Sequence, residues 1–158
     1  MSPRLLRWGM NLWPPFRGAG IRVRHIADDW SEARVELGAG RLRRNFVGTH
    51  YGGSLFSMTD PFYALMLIHR LGDRYLVWDQ AASIDFVSPG RGKVTALFFL
   101  SPERVREIES QAAGGQKVLP QFDVEVKDDA GQLVARVRKT LYVRLKPRYR
   151  PPDKGAAS

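Results

Sequence analysis

The chain has 158 residues, 44% of them hydrophobic and none of them cysteine. One domain with an ordinary core fits that length, and the missing thiols exclude disulfides and thiolate metal sites and agree with a reducing, cytoplasmic setting. A net charge of +9, from 25 basic and 16 acidic side chains, favours anionic partners without choosing among them.

Apart from Arg41-Leu42-Arg43-Arg44 and the stretch from Lys146 to Lys154, the basic residues are dispersed. There is no aromatic-interleaved RNA-binding pattern, zinc-finger spacing or helix-turn-helix signature, so no nucleic-acid partner is expected. No apolar run approaches the ~20 residues of a membrane span. No metal site is expected either.

Residues 1–27 contain five arginines and no acid. Leu5, Leu6, Trp8, Met10, Leu12 and Trp13 surround them, which predicts a helix over 3–13 stopped by Pro14-Pro15. Arg7 interrupts the apolar stretch, against a secretory signal. Packing on the domain's own surface is the favoured reading; a transit peptide or a helix lying on a membrane stays open. Gly18-Ala19-Gly20 turns the chain. Ile21 to Ile26 alternates apolar and basic residues, and Ala33, Val35 and Leu37 alternate with charged ones, so a hairpin is expected.

Asn45 to Gly53 reads as a polar, glycine-bearing loop. A helix that is apolar on nearly every side follows, through Leu55, Phe56, Met58 and Phe62 to Ile68, and such a helix belongs in an interior. Asp60 sits within it, a costly place for a carboxylate that is neither paired nor used. The alternative is that Asp60 caps a helix starting at Pro61.

Tyr75 to Val87 suits a strand, Ser88 to Gly92 a turn, and Val94 to Leu100 its partner strand. Ser101-Pro102-Glu103 starts a helix running to Ala112. Val118 to Val126 and Leu133 to Leu145 read as strands around the turn Asp128 to Gly131. The expected domain spans residues 1–146; the basic, proline-rich tail 147–158 is expected to be disordered. Hairpins and one apolar helix imply an α+β layer.

This order resembles the hotdog fold, a curved antiparallel sheet wrapped around a long central helix. The loop resembles the N-x-x-G-T-x-H-G-G-…-D pattern of PaaI-like acyl-CoA thioesterases, through Asn45, Gly48, Thr49, Gly52, Gly53 and Asp60. The segments Asn11 to Pro15, Gly18 to Val23, Ser83 to Phe86 and Ser88 to Gly92 are closer still to the hotdog family labelled DUF4442. One residue departs from the pattern: Tyr51 stands where the thioesterases carry histidine, and His50 precedes it. His50 is then expected to point elsewhere and Tyr51 to face the site.

The resemblance implies Asp60 as general base on water or as nucleophile. It implies an oxyanion site from the Gly53 backbone, with Gly52 allowing close approach, and Asn45 orienting the carbonyl or the water. A loop asparagine bonding its own backbone is the competing reading of Asn45. Asp79 lies where related thioesterases often carry a hydroxyl residue. Arg91 and Lys93 follow the turn and are placed to meet coenzyme A phosphates; Arg41, Arg43 and Arg44 are similar candidates. Tyr63, Met66 and Trp78 are either acyl-pocket or core residues.

The implied partner is an acyl-CoA thioester, with coenzyme A as part of the substrate and no separate cofactor. The implied assembly is a homodimer or a dimer of dimers, with Asn45 and Asp60 of one site on different subunits. Two other functions stay open. One is an acyl-CoA or fatty-acyl binder without turnover; the other is a basic protein for nucleic acid or a membrane surface. A hydratase, which pairs an acid with a histidine, is disfavoured by the position of His50.

Overall fold

The computed structural model describes residues 2–40 and 43–152. Helices α1 (Pro3–Leu12) and α2 (Pro14–Ala19) lead into strands β1 (Ile21–Ile26) and β2 (Glu32–Leu37). Helices α3 (Gly52–Ser57) and α4 (Phe62–Leu71) follow the polar loop. Then come β3 (Tyr75–Phe86), β4 (Val94–Phe99), α5 (Pro102–Ala112), β5 (Gln121–Asp128) and β6 (Leu133–Leu145).

All six strands form one antiparallel sheet in the order β1-β2-β4-β5-β6-β3. One face carries Val35, Ala96, Phe98, Val124, Val137 and Leu141, which join Leu55, Met58, Phe62, Met66 and Leu67 of the helical segment in a single buried cluster. Tyr63 stacks on Phe122 at 4.4 Å and meets Phe98 edge-on at 5.3 Å. It and Met66 are therefore core residues, not an acyl-pocket lining. Trp78 stacks on Tyr142 at 3.8 Å.

Three expectations need correction. The strand after Gly92 is not the partner of the one before Ser88. β3 pairs with β6, from Tyr75 opposite Leu145 to Phe86 opposite Ala135, while β4 enters between β2 and β5. Alternation marks a strand but not its neighbour. Here Val87 N–H and Ser88 N–H both donate to the Val134 carbonyl, and His50 N–H donates to that of Gly90. These bonds hold the segment against β6 and the polar loop rather than in a tight hairpin.

The apolar helix is also not continuous; it breaks between Ser57 and Phe62. Pro61 occupies the cap position of α4, no side chain caps it, and Asp60 is not a helix cap. Lastly, residues 147–152 are not a disordered tail. Pro147–Tyr149 form a 3-10 turn, Arg150 Nε donates to the Leu145 carbonyl at 2.9 Å, and the Arg74 guanidinium lies 5.6 Å from the Tyr149 ring centroid. Residues 153–158, with Lys154, lie outside the described residues, as does Arg41.

The N-terminal helices are built as their residues suggest. Ser2 caps α1, and α2 ends at Gly20, whose φ of 83° suits a residue without Cβ. Asn11 docks α1 on the sheet. Its Oδ1 accepts from Val23 N–H at 2.8 Å and its Nδ2 donates to the Val23 carbonyl at 3.0 Å. One side chain thus reproduces a strand neighbour for the outer edge of β1. Asn11→Ala, by leaving both groups without protein partners, is expected to lower unfolding free energy by about 1–3 kcal/mol in urea titration. It should also speed tryptic cleavage after Arg7 and Arg17.

Candidate functional site

Along β6, Val137, Leu141 and Val143 are fully buried on the helix-facing side. Lys139 shares their phase and is only 2% exposed. A buried ammonium requires anionic or carbonyl partners. Lys139 has two carboxylates: Nζ donates to Asp60 Oδ1 at 2.7 Å and lies 3.0 Å from Asp79 Oδ1. The Phe56 ring lies 6.0 Å from the same nitrogen.

The two acids are delivered by irregularities in their elements. Asp60 comes from the break between α3 and α4, where Met58 and Thr59 turn fully inward and Thr59 Oγ1 donates to the Phe56 carbonyl at 2.8 Å. Asp60 itself turns outward, and 57% of its side chain is exposed. The expectation of a carboxylate sealed in an apolar interior is therefore corrected: in this chain the lysine is the buried partner. Asp79 sits at a register shift in β3, before Ala81, of the kind that re-aims side chains. Its carboxylate is 24% exposed.

The Lys139–Asp79 contact is Coulombic. Oδ1 of Asp79 is buried and lacks a well-aligned hydrogen bond even though Nζ is close. Burial pushes the Asp79 carboxyl above the usual carboxylate range; the Lys139 cation pulls it down, and the neighbouring Asp60 carboxylate adds to the upward push.

A second group of candidates lies at the other end of α3. That helix has six residues and is about 9 Å long. Asn45, Thr49, His50, Gly52, Leu55, Phe86, Pro89, Gly90 and Arg91 line a cleft of 470 Å³ there. Part of its lining is apolar, with Val47, Phe86 and Val87 exposed. The chain thus brings Asp60 and Asp79 together at the C-terminal end of α3. It brings Asn45, His50, Gly52 and Arg91 together at the N-terminal end.

Individual roles change. The Asn45 amide is fully occupied by its own loop: Oδ1 accepts from Val47 N–H and Thr49 N–H, and Nδ2 donates to Thr49 Oγ1 at 2.9 Å and the His50 carbonyl at 3.4 Å. The self-bonding reading of Asn45 describes this chain, and no amide hydrogen is left for a carbonyl or water. His50 is buried and points away from Asp60; its Nε2–H donates to the Gly92 carbonyl at 2.6 Å, stitching the loop to the 88–92 turn.

Tyr51 is exposed, with its ring over Gly53, where an added Cβ would come within 2.3 Å of it. At Gly52 a Cβ would lie 2.9 Å from Phe86 Cζ. The glycine pair thus admits an aromatic ring at each of its two positions. Among the described residues neither glycine N–H has a backbone acceptor. Arg91 is exposed at the cleft.

Lys93 is not in the cleft. It pairs with Asp129 at 3.1 Å and reaches Glu36 at 3.9 Å, because Glu36 is a buried carboxylate that gathers Arg24, Arg34 and Lys93. Arg43 serves structure, donating to the Gly18 carbonyl at 3.1 Å, and Arg44 donates to the Arg91 carbonyl at 3.2 Å. Sequence reasoning missed Lys139. The signal was present: it stands in the apolar phase of a strand otherwise reading Val137, Leu141, Val143.

A family model described as "Domain of unknown function (DUF4442)" matches residues 3–143. No curated protein matches the chain. Among solved structures, PA5026 of Pseudomonas aeruginosa, a protein of unknown function described as a probable thioesterase, superposes with a TM-score of 0.79 at 20% identity, over 92% of this chain and 97% of that one. Thioesterase HI1161 of Haemophilus influenzae gives 0.66 at 14% identity, over 92% of each chain. The PaaI protein from the phenylacetic acid degradation operon of E. coli gives 0.58 at 18%, over 92% and 97%. At these identities the likeness establishes the hotdog fold and not the reaction.

Two outcomes follow from the lysine cluster. Lys139→Met should lower stability by about 1–3 kcal/mol in urea titration, a figure kept small because Asp60 is solvated. Adding Asp79→Asn should recover part of that loss, because the stranded carboxylate is gone.

The second outcome concerns pH. A carboxyl whose native pKa is raised binds its proton more tightly folded than unfolded. Its stabilising contribution is complete below the ordinary value of 3.8 and is lost as pH rises through the raised value. Between acid and neutral pH, wild type should therefore lose stability relative to Asp79→Asn, read as the gap between their urea midpoints. A gap moving the other way would mean that the Lys139 cation outweighs burial.

Proposed function

Because this chain belongs to the DUF4442 family and has the hotdog fold, we propose that it hydrolyses acyl-CoA thioesters at a seam between two copies. The observation that carries the reading is the Asp60–Lys139–Asp79 cluster at one end of α3, with two acceptor-free glycine amides at the other.

β3 supports the assembly. It is a twelve-residue edge strand with one side unpaired, and such edges invite pairing. It carries Asp79 near one end of α3 and Phe86 near the other. Two β3 strands paired antiparallel about a twofold at Ser83, with the irregularity between Asp79 and Ala81 taking up one residue, bring Asp79 of one copy opposite Phe86 of the other. The carboxylates of one copy then meet the glycine amides of its neighbour.

In this reading Lys139 fixes Asp60 Oδ1 in place, leaving Oδ2 to take a proton from water. Hydroxide oxygen attacks the thioester carbonyl carbon. Charge gathering on the carbonyl oxygen meets the Gly53 N–H, with Gly52 beside it. Collapse breaks the carbon–sulfur bond, and the proton held by Asp60 passes to the departing thiolate, giving free acid and free coenzyme A. Arg91, with Arg44 behind it, faces the anionic part of the substrate at the cleft.

A second reading, acyl-CoA binding without turnover, is favoured by two observations: Asp60 is already ion-paired, and Tyr51 replaces the motif histidine. A panel of acyl-CoAs assayed for released thiol separates the two. Wild type should turn over at least one chain length, and Asp60→Asn should lower kcat by about 10²-fold or more. Equal rates for both proteins would remove Asp60 from the chemistry. Tight calorimetric binding with no thiol from either would establish the binder instead.

A further inference from the structure

The outward face of α1 has no partner among the described residues. Leu5, Trp8 and Leu12 fall on one stripe, spaced three and four residues apart, and Trp13 continues it past the helix end. Trp8 is 64% exposed and Leu5 57%. The opposite stripe is already used, with Pro3 and Met10 buried, Leu6 half-buried and Asn11 bonded to Val23. Single exposed apolar residues are ordinary; a contiguous stripe with two tryptophans marks a contact surface.

Charge identifies the occupant. Leu12 also borders a neighbouring depression lined by Arg17, Arg22 and Arg43. Arg43 is held there by the Gly18 and Arg17 carbonyls at 3.1 and 3.4 Å. Among the described residues, Arg4, Arg17 and Arg22 have no carboxylate within ion-pair distance. The first acid in the chain is Asp28. A second copy is a poor occupant, since its own α1 face would set arginines against arginines. A surface of anionic phosphates over hydrocarbon satisfies both halves of the feature.

We propose that α1 docks the protein flat on anionic phospholipid bilayers. Leu5, Trp8, Leu12 and Trp13 enter the headgroup boundary, and Arg4, Arg17 and Arg22 meet lipid phosphates. No helix among the described residues is long and apolar enough to cross a membrane, so this is attachment and not spanning. α1 covers β1, at the opposite end of the sheet from β3. Membrane contact therefore leaves the β3 edge free, and the proposal stands whether or not the thioesterase reading does.

The test uses the full chain with vesicles of phosphatidylcholine alone or mixed with phosphatidylglycerol. Wild type should co-sediment with the mixed vesicles only, release on raising salt, and show blue-shifted tryptophan emission when bound. Arg22→Ala should weaken partitioning about fivefold. Trp8→Ser with Leu12→Ser should weaken it at least about tenfold. Both positions are solvent-exposed, and unchanged circular dichroism checks that the fold persists. Failure of wild type to co-sediment with anionic vesicles overturns the proposal, as does equal binding by these variants. A drop in oligomer mass on Trp8→Ser, read by light scattering, would also overturn it, since the stripe would then belong to a protein interface.

Discussion

The ammonium of Lys139 is the point on which the contact between the helical layer and the β3 edge rests. Its stem runs through a layer otherwise made of Val137, Leu141 and Val143, and its charge emerges where α3 and α4 separate. A lysine so placed is tolerable only if anions meet it. One comes from the helix break and one from the irregularity in β3, so a single cation ties the helical layer to the edge strand. The pairing is lopsided, because the lysine is buried and Asp60 is largely solvated. Closing solvent off from Asp60, as pairing at the β3 edge would do, strengthens the interaction without moving an atom of the first chain.

The same asymmetry bears on the proposed hydrolysis. Its ion pair with Lys139 holds the Asp60 carboxylate in one orientation. With Oδ1 taken by Lys139, Oδ2 is the oxygen left for a further partner. At the other end of α3 the amide that the motif would offer to an oxyanion is turned back into its own loop. In the proposed reaction, stabilisation there falls to the main-chain N–H groups of the two glycines, beside the rings of Tyr51 and Phe86. Main-chain donors on a short helix are rigid, and rigidity is what an oxyanion site needs.

Much of this was legible in the residues. Helix and strand limits followed from Pro14-Pro15, Gly20, Ser101-Pro102 and the alternating runs, because those features act locally. The neighbour of β3 was not legible: alternation shows which face is buried, and several antiparallel partners satisfy it equally. Asn45 and Lys93 misled for a related reason. Their side chains were assigned by distance along the chain from a motif, whereas their bonds are set by Thr49 within the loop and by Glu36 on another strand. Lys139 was legible in principle, since one charged residue in the apolar phase of a thirteen-residue strand is itself a signal. It carries no motif and stands 79 residues from Asp60, so only the fold joins them.

The two ends of the sheet are treated differently, and that difference limits how the chain can assemble. At β1, Asn11 fills the hydrogen-bonding groups of Val23 and α1 covers the strand, so this edge is closed to further pairing. At β3 none of the described residues pairs with the outer edge. A molecule with two open edges can add copies without limit; one with a single open edge can only pair that edge with itself and stop. In the proposed dimer, closure about a twofold sets each copy's carboxylates against its neighbour's glycine amides. The asparagine on the first helix, far from that site, thus leaves sheet pairing to the β3 edge, where the proposed chemistry lies.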